Sequence, residues 1–260
     1  MASLTYTALK TIWIKECTRF LRIWVQTLVP PAITMTLYFV IFGNIIGTRI
    51  DASGGMNGIP YMEFIVPGLI MMSVITNSYS NVASSFFSAK FQRNIEEMLV
   101  APVSSAVIIA GYVGGSLARA LIVACIVTVV SFIFVDNIQI YHAGILILTV
   151  VLTSTLFSLG GLINAVHAKT FDDISIVPTF VLTPLTYLGG VFFSISMLPE
   201  IWQNIAQINP VLYMVNAFRY GFLGVTDVNI GLALGLLIGF NLILFALAYT
   251  LLQRGAGIRS

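Results

Sequence analysis

The sequence predicts an all-α, polytopic membrane protein with six membrane-spanning helices and both termini on the cytoplasmic side. Three observations predict it. Of 260 residues, 58% are apolar and only 8% are charged, against roughly 25% charged in a soluble domain. Charge-free stretches recur at the length of roughly 20 residues that a helix needs to cross the hydrocarbon core. The cations, finally, collect between alternate stretches.

The spans are placed near residues 25–46, 64–87, 106–134 (interrupted by Arg119), 144–166, 174–195 and 230–252. Of the 12 Lys and Arg residues, nine fall on one face, Arg49 and Arg219 fall in the opposite loops, and Arg119 is set aside inside the third span. Lys10, Lys15, Arg19 and Arg22 precede the first span. Lys90 and Arg93 follow the second, Lys169 follows the fourth, and Arg254 and Arg259 follow the last. Positive loops stay inside, so both ends are expected in the cytoplasm. Met1 to Arg22 lacks the continuous apolar core and small-residue cleavage site of a signal peptide, so retention of the N-terminus is expected.

Outside the spans, residues 4–24 form an amphipathic candidate. Leu9, Trp13, Cys17, Phe20 and Trp24 recur at intervals of three or four, with Lys15, Arg19 and Arg22 on another face. Such a helix lies in the headgroup layer with its cations near lipid phosphates; the plainer reading is a basic flank that only sets topology. The outer loop 49–61 holds Asp51, Gly54, Gly55, Asn57, Gly58 and Pro60, which is turn chemistry. Residues 196–220 are apolar but carry Pro199 and Asn209-Pro210, and predict two short helices in the outer leaflet. The inner segment 88–105 holds Arg93, Glu96 and Glu97, with Phe91, Ile95 and Leu99 at i, i+4 and i+8. It predicts a short amphipathic helix ending before Pro102, suited either to a cytoplasmic partner or to the membrane surface.

Catalytic chemistry is not evident. His142 and His167 fall near opposite membrane faces, and no His-Glu-x-x-His or Gly-x-Ser-x-Gly motif occurs. Asp172 and Asp173 read as a solvated helix start rather than a metal pair. Cys17 and Cys125 suggest neither a disulfide nor a metal site. A phosphate-binding loop needs lysine after glycine, yet Lys10, Lys15, Lys90 and Lys169 follow Leu9, Ile14, Ala89 and Ala168. If ATP is used, another polypeptide binds it. Net charge of +2 gives no reason to expect nucleic acid. An ion-driven carrier or channel is the alternative, but such proteins often carry midplane acids, and no Asp or Glu falls inside the six spans.

Arg119 is the charge placed well inside a span, after Gly111, Gly114, Gly115 and Ser116, small residues that let helices approach closely. Three readings stand. It pairs with Glu96, Glu97 or Asp173, it lines a path for an anionic substrate, or it snorkels to the inner headgroups.

From Phe171 to Arg219 the chain resembles the signature region of type-2 ABC exporter permeases. The residues are Phe171-Asp172-Asp173, Pro178, the run from Leu182-Thr183-Pro184 through Tyr187-Leu188-Gly189-Gly190 to Phe192-Phe193, Leu198-Pro199, Trp202, Ile208-Asn209-Pro210, Tyr213 and Phe218-Arg219-Tyr220. Phe64 to Gly68 and Glu96-Glu97 with Leu99 and Pro102 agree. The resemblance implies a permease subunit that dimerises, with ATP and magnesium held on two copies of a separate cytoplasmic ATPase and no cofactor in this chain. It assigns the coupling helix to Arg93, Glu96, Glu97 and Leu99, and an interface helix with Trp13, Arg19 and Phe20 to the same partner. The pathway would lie at the dimer interface, along spans one, two and five, with Pro178, Pro184, Tyr187, Gly190 and Phe193 on a kinked fifth span. Substrates across the family range from drugs to lipid-linked glycans, so membership selects none.

Overall fold

The computed structural model describes residues 2–52, 58–135 and 140–255. Among them no β-strand forms, and every long element is a helix. Helix α1 (Ala2–Arg22) is followed after a turn at Ile23 by α2 (Trp24–Tyr38), a π-helical stretch (Phe39–Gly47) and α3 (Thr48–Ala52). Then come α4 (Tyr61–Phe91), α5 (Asn94–Val100), α6 (Ser105–Ser131) and α7 (Ala143–His167). The fifth apolar stretch is α8 (Asp173–Val177), a π-turn (Pro178–Leu182) and α9 (Thr183–Leu188). A 3-10 turn (Ile195–Met197), α10 (Glu200–Ile208), α11 (Pro210–Leu223) and α12 (Ile230–Arg254) complete the chain.

Among the described residues, five helices are long and apolar enough to cross a membrane: Trp24–Asp51, Tyr61–Phe91, Ser105–Ser131, Ala143–His167 and Ile230–Arg254. The expected span 174–195 is shorter than predicted. Its helix runs Asp173–Leu188 and stops at Gly189, with Gly190 at φ +73°. Pro178 and Pro184 lack N–H donors, which fits the π-turn between them, and the left-handed Gly190 turns the chain back.

Helix α4 is the centre of the molecule, buried on nearly all sides, and it packs against α6, α7 and α11. By contrast α12 buries only Ala233, Leu237, Ala248 and Leu252, so it lies at the edge. Glycine sets the tightest crossing. A Cβ on Gly161 of α7 would meet the backbone of Tyr79 and Ala83, so these helices touch main chain to main chain.

The outer loop is closed by Asp51, whose Oδ1 accepts from Tyr61 N at 2.8 Å and so satisfies one of the orphan donors that open α4. Gly54, Gly55 and Asn57 lie outside the described residues, as does Arg259. The predicted break at Asn209-Pro210 separates α10 from α11. Asn209 Oδ1 accepts from Val211 N, and its Nδ2 donates to Leu185 O at 2.6 Å, which joins the break to the end of α9. Helix α10 leaves Ile201, Trp202, Ile205 and Ile208 exposed, whereas α11 is buried in the bundle.

Candidate functional site

Helix α1 does not lie free. Its buried residues are Ile12, Glu16 and Phe20, and it packs along α6. The glycines of α6 make this possible: a Cβ on Gly111 would strike Ile12, and one on Gly115 would strike Glu16. The predicted apolar stripe is therefore rotated. Trp13 is 45% exposed and Trp24 55% exposed, while Phe20 is buried at 1%.

Arg19 was expected near lipid phosphates and instead turns inward, a correction with a clear cause. Glu16 is fully buried, and a buried carboxylate requires partners. Arg19 Nε donates to Glu16 Oε2 at 3.3 Å and Ser85 Oγ donates to Oε1 at 2.7 Å. Arg19 Nη2 then reaches α4, donating to Asn81 O at 3.0 Å and Asn81 Oδ1 at 2.8 Å. The signal for Glu16 was available: an acid at i+4 from Ile12 and i−4 from Phe20 faces the glycines of α6.

Arg119 meets the same amide from the other side. Its Nη1 donates to Asn81 Oδ1 at 3.2 Å, and its Nη2 donates to Asn77 Oδ1 at 2.8 Å and Thr27 O at 3.3 Å. The Thr27 carbonyl is free to accept because Pro31, four residues on, has no N–H to return to it. Pairing with Glu96, Glu97 or Asp173 is overturned: among the described residues the ion pair found is Arg19–Glu16. Beside Arg119 the polar contacts continue into α7, from Ser158 to Ser116 at 2.8 Å, Ser116 to Ser78 O at 2.9 Å and Ser78 to Ser154 at 3.0 Å. A cavity of about 290 Å³ opens here between α2, α4 and α6, with Arg119 in its wall.

At the end of α4 the chain breaks at Gln92-Arg93, and Arg93 takes a left-handed φ of 62°. Phe91 therefore belongs to α4, and the expected stripe through Phe91 and Ile95 is not on one helix. Within α5, Ile95 is buried, while Glu96, Glu97 and Val100 are exposed; the Leu99 side chain lies outside the described ones. Lys90 fixes the base of this segment by donating to Val166 O at 2.6 Å and Ala168 O at 2.8 Å, carbonyls at and beyond the end of α7. The Asp173 carboxylate accepts from Lys169 N at 2.8 Å and Thr170 N at 3.0 Å, and these backbone donors hold it below the usual carboxylate range. His142 and His167 bracket α7 at its two ends. No cluster able to hold a metal forms among the described residues.

On the fifth stretch, Pro184 and Tyr187 are exposed, and Pro178 and Phe193 are half-buried. Tyr187 meets Tyr38 of α2 through the hydroxyls at 3.1 Å and stacks on Phe192, which also stacks on Phe42. Gly190 O accepts from Arg219 Nη2 at 2.6 Å. Arg219 was counted as an outer-loop cation, but it is 1% exposed with its guanidinium 3.9 Å from the centre of the Phe64 ring. Its place in the ledger of loop charges is withdrawn, which leaves the asymmetry of the cations stronger.

Comparison with known proteins decides what kind of bundle this is. The family model described as ABC-2 type transporter matches residues 7–223. The chain belongs to the ABC-2 type transporter family. Over all 260 residues, 100% of both chains, it is 62% identical to the inner membrane transport permease YadH of Escherichia coli K12 and equally to that of Shigella flexneri. It is 24% identical over 204 residues, 77% of each chain, to nodulation protein J of Rhizobium meliloti. An ABC-2 membrane subunit is the transmembrane component of an ABC transporter, and that class works with an ABC ATPase.

Proposed function

We propose that this chain is the permease half of an ATP-driven exporter of a bacterial inner membrane, acting as a homodimer with two copies of a separate cytoplasmic ATPase. It crosses the membrane six times, with residues 174–188 and the following turn as the short fifth crossing, and keeps both termini inside. The observation that carries the reading is α5. A short helix held to the bundle by Ile95, with Glu96, Glu97 and Val100 turned outward, has the form of a lever that a partner can grip.

Lys90 ties the base of that lever to the end of α7, and α1 ties the neighbouring surface to α6 and α4. Movement imposed on α5 by nucleotide-driven closure of the ATPases therefore passes into the spans. The nucleotide acts only through its different affinity for the inward-open and outward-open states. The exposed apolar side chains Ile33, Leu37 and Val40 on the first span, with Phe180, Pro184 and Tyr187 on the fifth, supply the surface where two copies meet and the pathway forms. Membrane lipid covers the remaining exposed apolar face.

The test is charge reversal at the lever. Glu96→Lys with Glu97→Lys is expected to abolish co-purification of the cytoplasmic ATPase while leaving membrane insertion and thermal unfolding unchanged. A double variant that still retains the ATPase removes α5 as the dock. Transport in liposomes on an ion gradient alone, with no ATPase present, would overturn the reading altogether.

A further inference from the structure

Glu16, Arg19 and Arg119 form one connected group through Asn81, and together they hold two cations and one anion. The excess positive charge sits on Arg119, whose three bonds all end on neutral oxygens: Asn77 Oδ1, Asn81 Oδ1 and Thr27 O. A cation inside a membrane span that has only dipoles for partners is left with attraction for an anion.

The space beside it suits that anion. Gln26, Thr27, Thr34, Ser73, Thr76, Asn77 and Ser80 give the cavity a polar lining along with Arg119. Several of those donors are idle. Ser73 Oγ is buried without a partner, and no hydrogen bond engages the side chains of Gln26, Thr34 or Ser80 among the described residues. Pro30, Pro31, Met35 and Met72 supply an apolar wall. At about 290 Å³ the cavity lies at the lower edge of the ~300–1,000 Å³ of small-molecule pockets, which fits a headgroup rather than a whole amphiphile.

We infer that the cavity between α2, α4 and α6 is a binding site for a single phosphate-bearing group, held by Arg119 and the unpartnered hydroxyls and amide around it. The group comes either from the head of an amphiphile entering from the lipid side or from free phosphate in solution. The site stands independently of ATP-driven export, because it needs neither ATPase nor nucleotide.

Asn81 provides a clean test. Its Oδ1 serves both arginines, while its Nδ2 is buried without a partner. Asn81→Asp therefore loses no hydrogen bond and places the missing negative charge between the two guanidinium groups. Full-length protein in an uncharged detergent is titrated with dioctanoyl phosphatidate, dioctanoylglycerol or inorganic phosphate, with thermal unfolding as the readout. Phosphatidate is expected to raise the Tm saturably and dioctanoylglycerol, which has the same chains and no phosphate, to leave it unchanged. An equal response to inorganic phosphate identifies a free-anion site, and a response to phosphatidate alone identifies an amphiphile headgroup.

Asn81→Asp is expected to raise the ligand-free Tm and to weaken phosphatidate binding by about tenfold or more, the scale of a lost charge-assisted bond. Arg119→Gln is expected to weaken it similarly, and Arg254→Gln, exposed at the end of α12, to leave it unchanged. If Arg119→Gln does not fold, Asn81→Asp decides. The inference is overturned if neither anion gives a saturable shift, or if folded Asn81→Asp binds phosphatidate as the unsubstituted protein does.

Discussion

Two arginines lie in the apolar interior, and their surroundings differ. Arg119 is only partly buried, donates to three oxygens on α2 and α4, and borders a cavity whose lining includes the unengaged hydroxyl of Ser73. Arg219 is 1% exposed, donates to Gly190 O, lies over the Phe64 ring, and leaves Nε and Nη1 without partners. A guanidinium with spare room and spare donors beside it can respond to a ligand. One sealed between a ring and a carbonyl acts as a clamp, here holding the Gly190 turn between α11 and α4. Close contact of Gly68 on α4 with the Val191 carbonyl shows how little space that turn has.

The contrast can be broken by substitution, and the largest effect is expected at the clamp. Arg219→Ala empties a filled site and strands the Gly190 carbonyl, at a cost of about 3–5 kcal/mol. Detergent extracts should then show little monodisperse protein by size-exclusion chromatography, whereas Arg119→Gln should remain monodisperse. Equal loss in both variants would erase the distinction. A smaller effect is expected where α1 meets α6. Gly115→Leu pushes against Glu16 and should destabilise by ~1–3 kcal/mol, read as a lower Tm with faster proteolysis of α1; unchanged proteolysis would show that α1 is not held by this crossing.

The smallest effect is expected outside both regions. The Asp173 carboxylate is held low by its backbone donors, so its contribution is present in full above its unfolded value of 3.8 and fades as pH falls through the lower folded value. Asp173→Asn should shift the Tm slightly at pH 7 and not at all once the carboxyl is protonated. A shift equally large at both pH values would show that charge is not the cause.

Much of the frame was legible because it depends on local properties. The positions of α4, α6, α7 and α12, the break at Asn209-Pro210 and the end of α5 before Pro102 follow from apolar run length and proline, whereas the early stop of the fifth stretch at Leu188 was not foreseen. The stripe on α1 was misread because 3.6-residue spacing names faces without naming neighbours: Leu9, Trp13, Cys17, Phe20 and Trp24 looked apolar enough to face lipid, and Glu16 was passed over. The glycines at 111, 114 and 115 announced a close approach without saying that α1 makes it. Arg219 was read as a loop cation because it falls between the fifth and sixth expected spans, and only packing against Phe64 makes it interior.

By itself, then, the sequence determined an all-helical membrane protein, the absence of a glycine–lysine phosphate loop and a one-sided distribution of cations, all of which depend on composition and order along the chain. Tertiary structure alone decided that Arg19 and Arg119 share Asn81, that Glu16 offsets one of them and not both, and that the remaining charge faces a cavity. The physical reason is that a buried charge is defined by the groups within a few ångströms of it, and here those groups come from segments up to 92 positions apart in the chain.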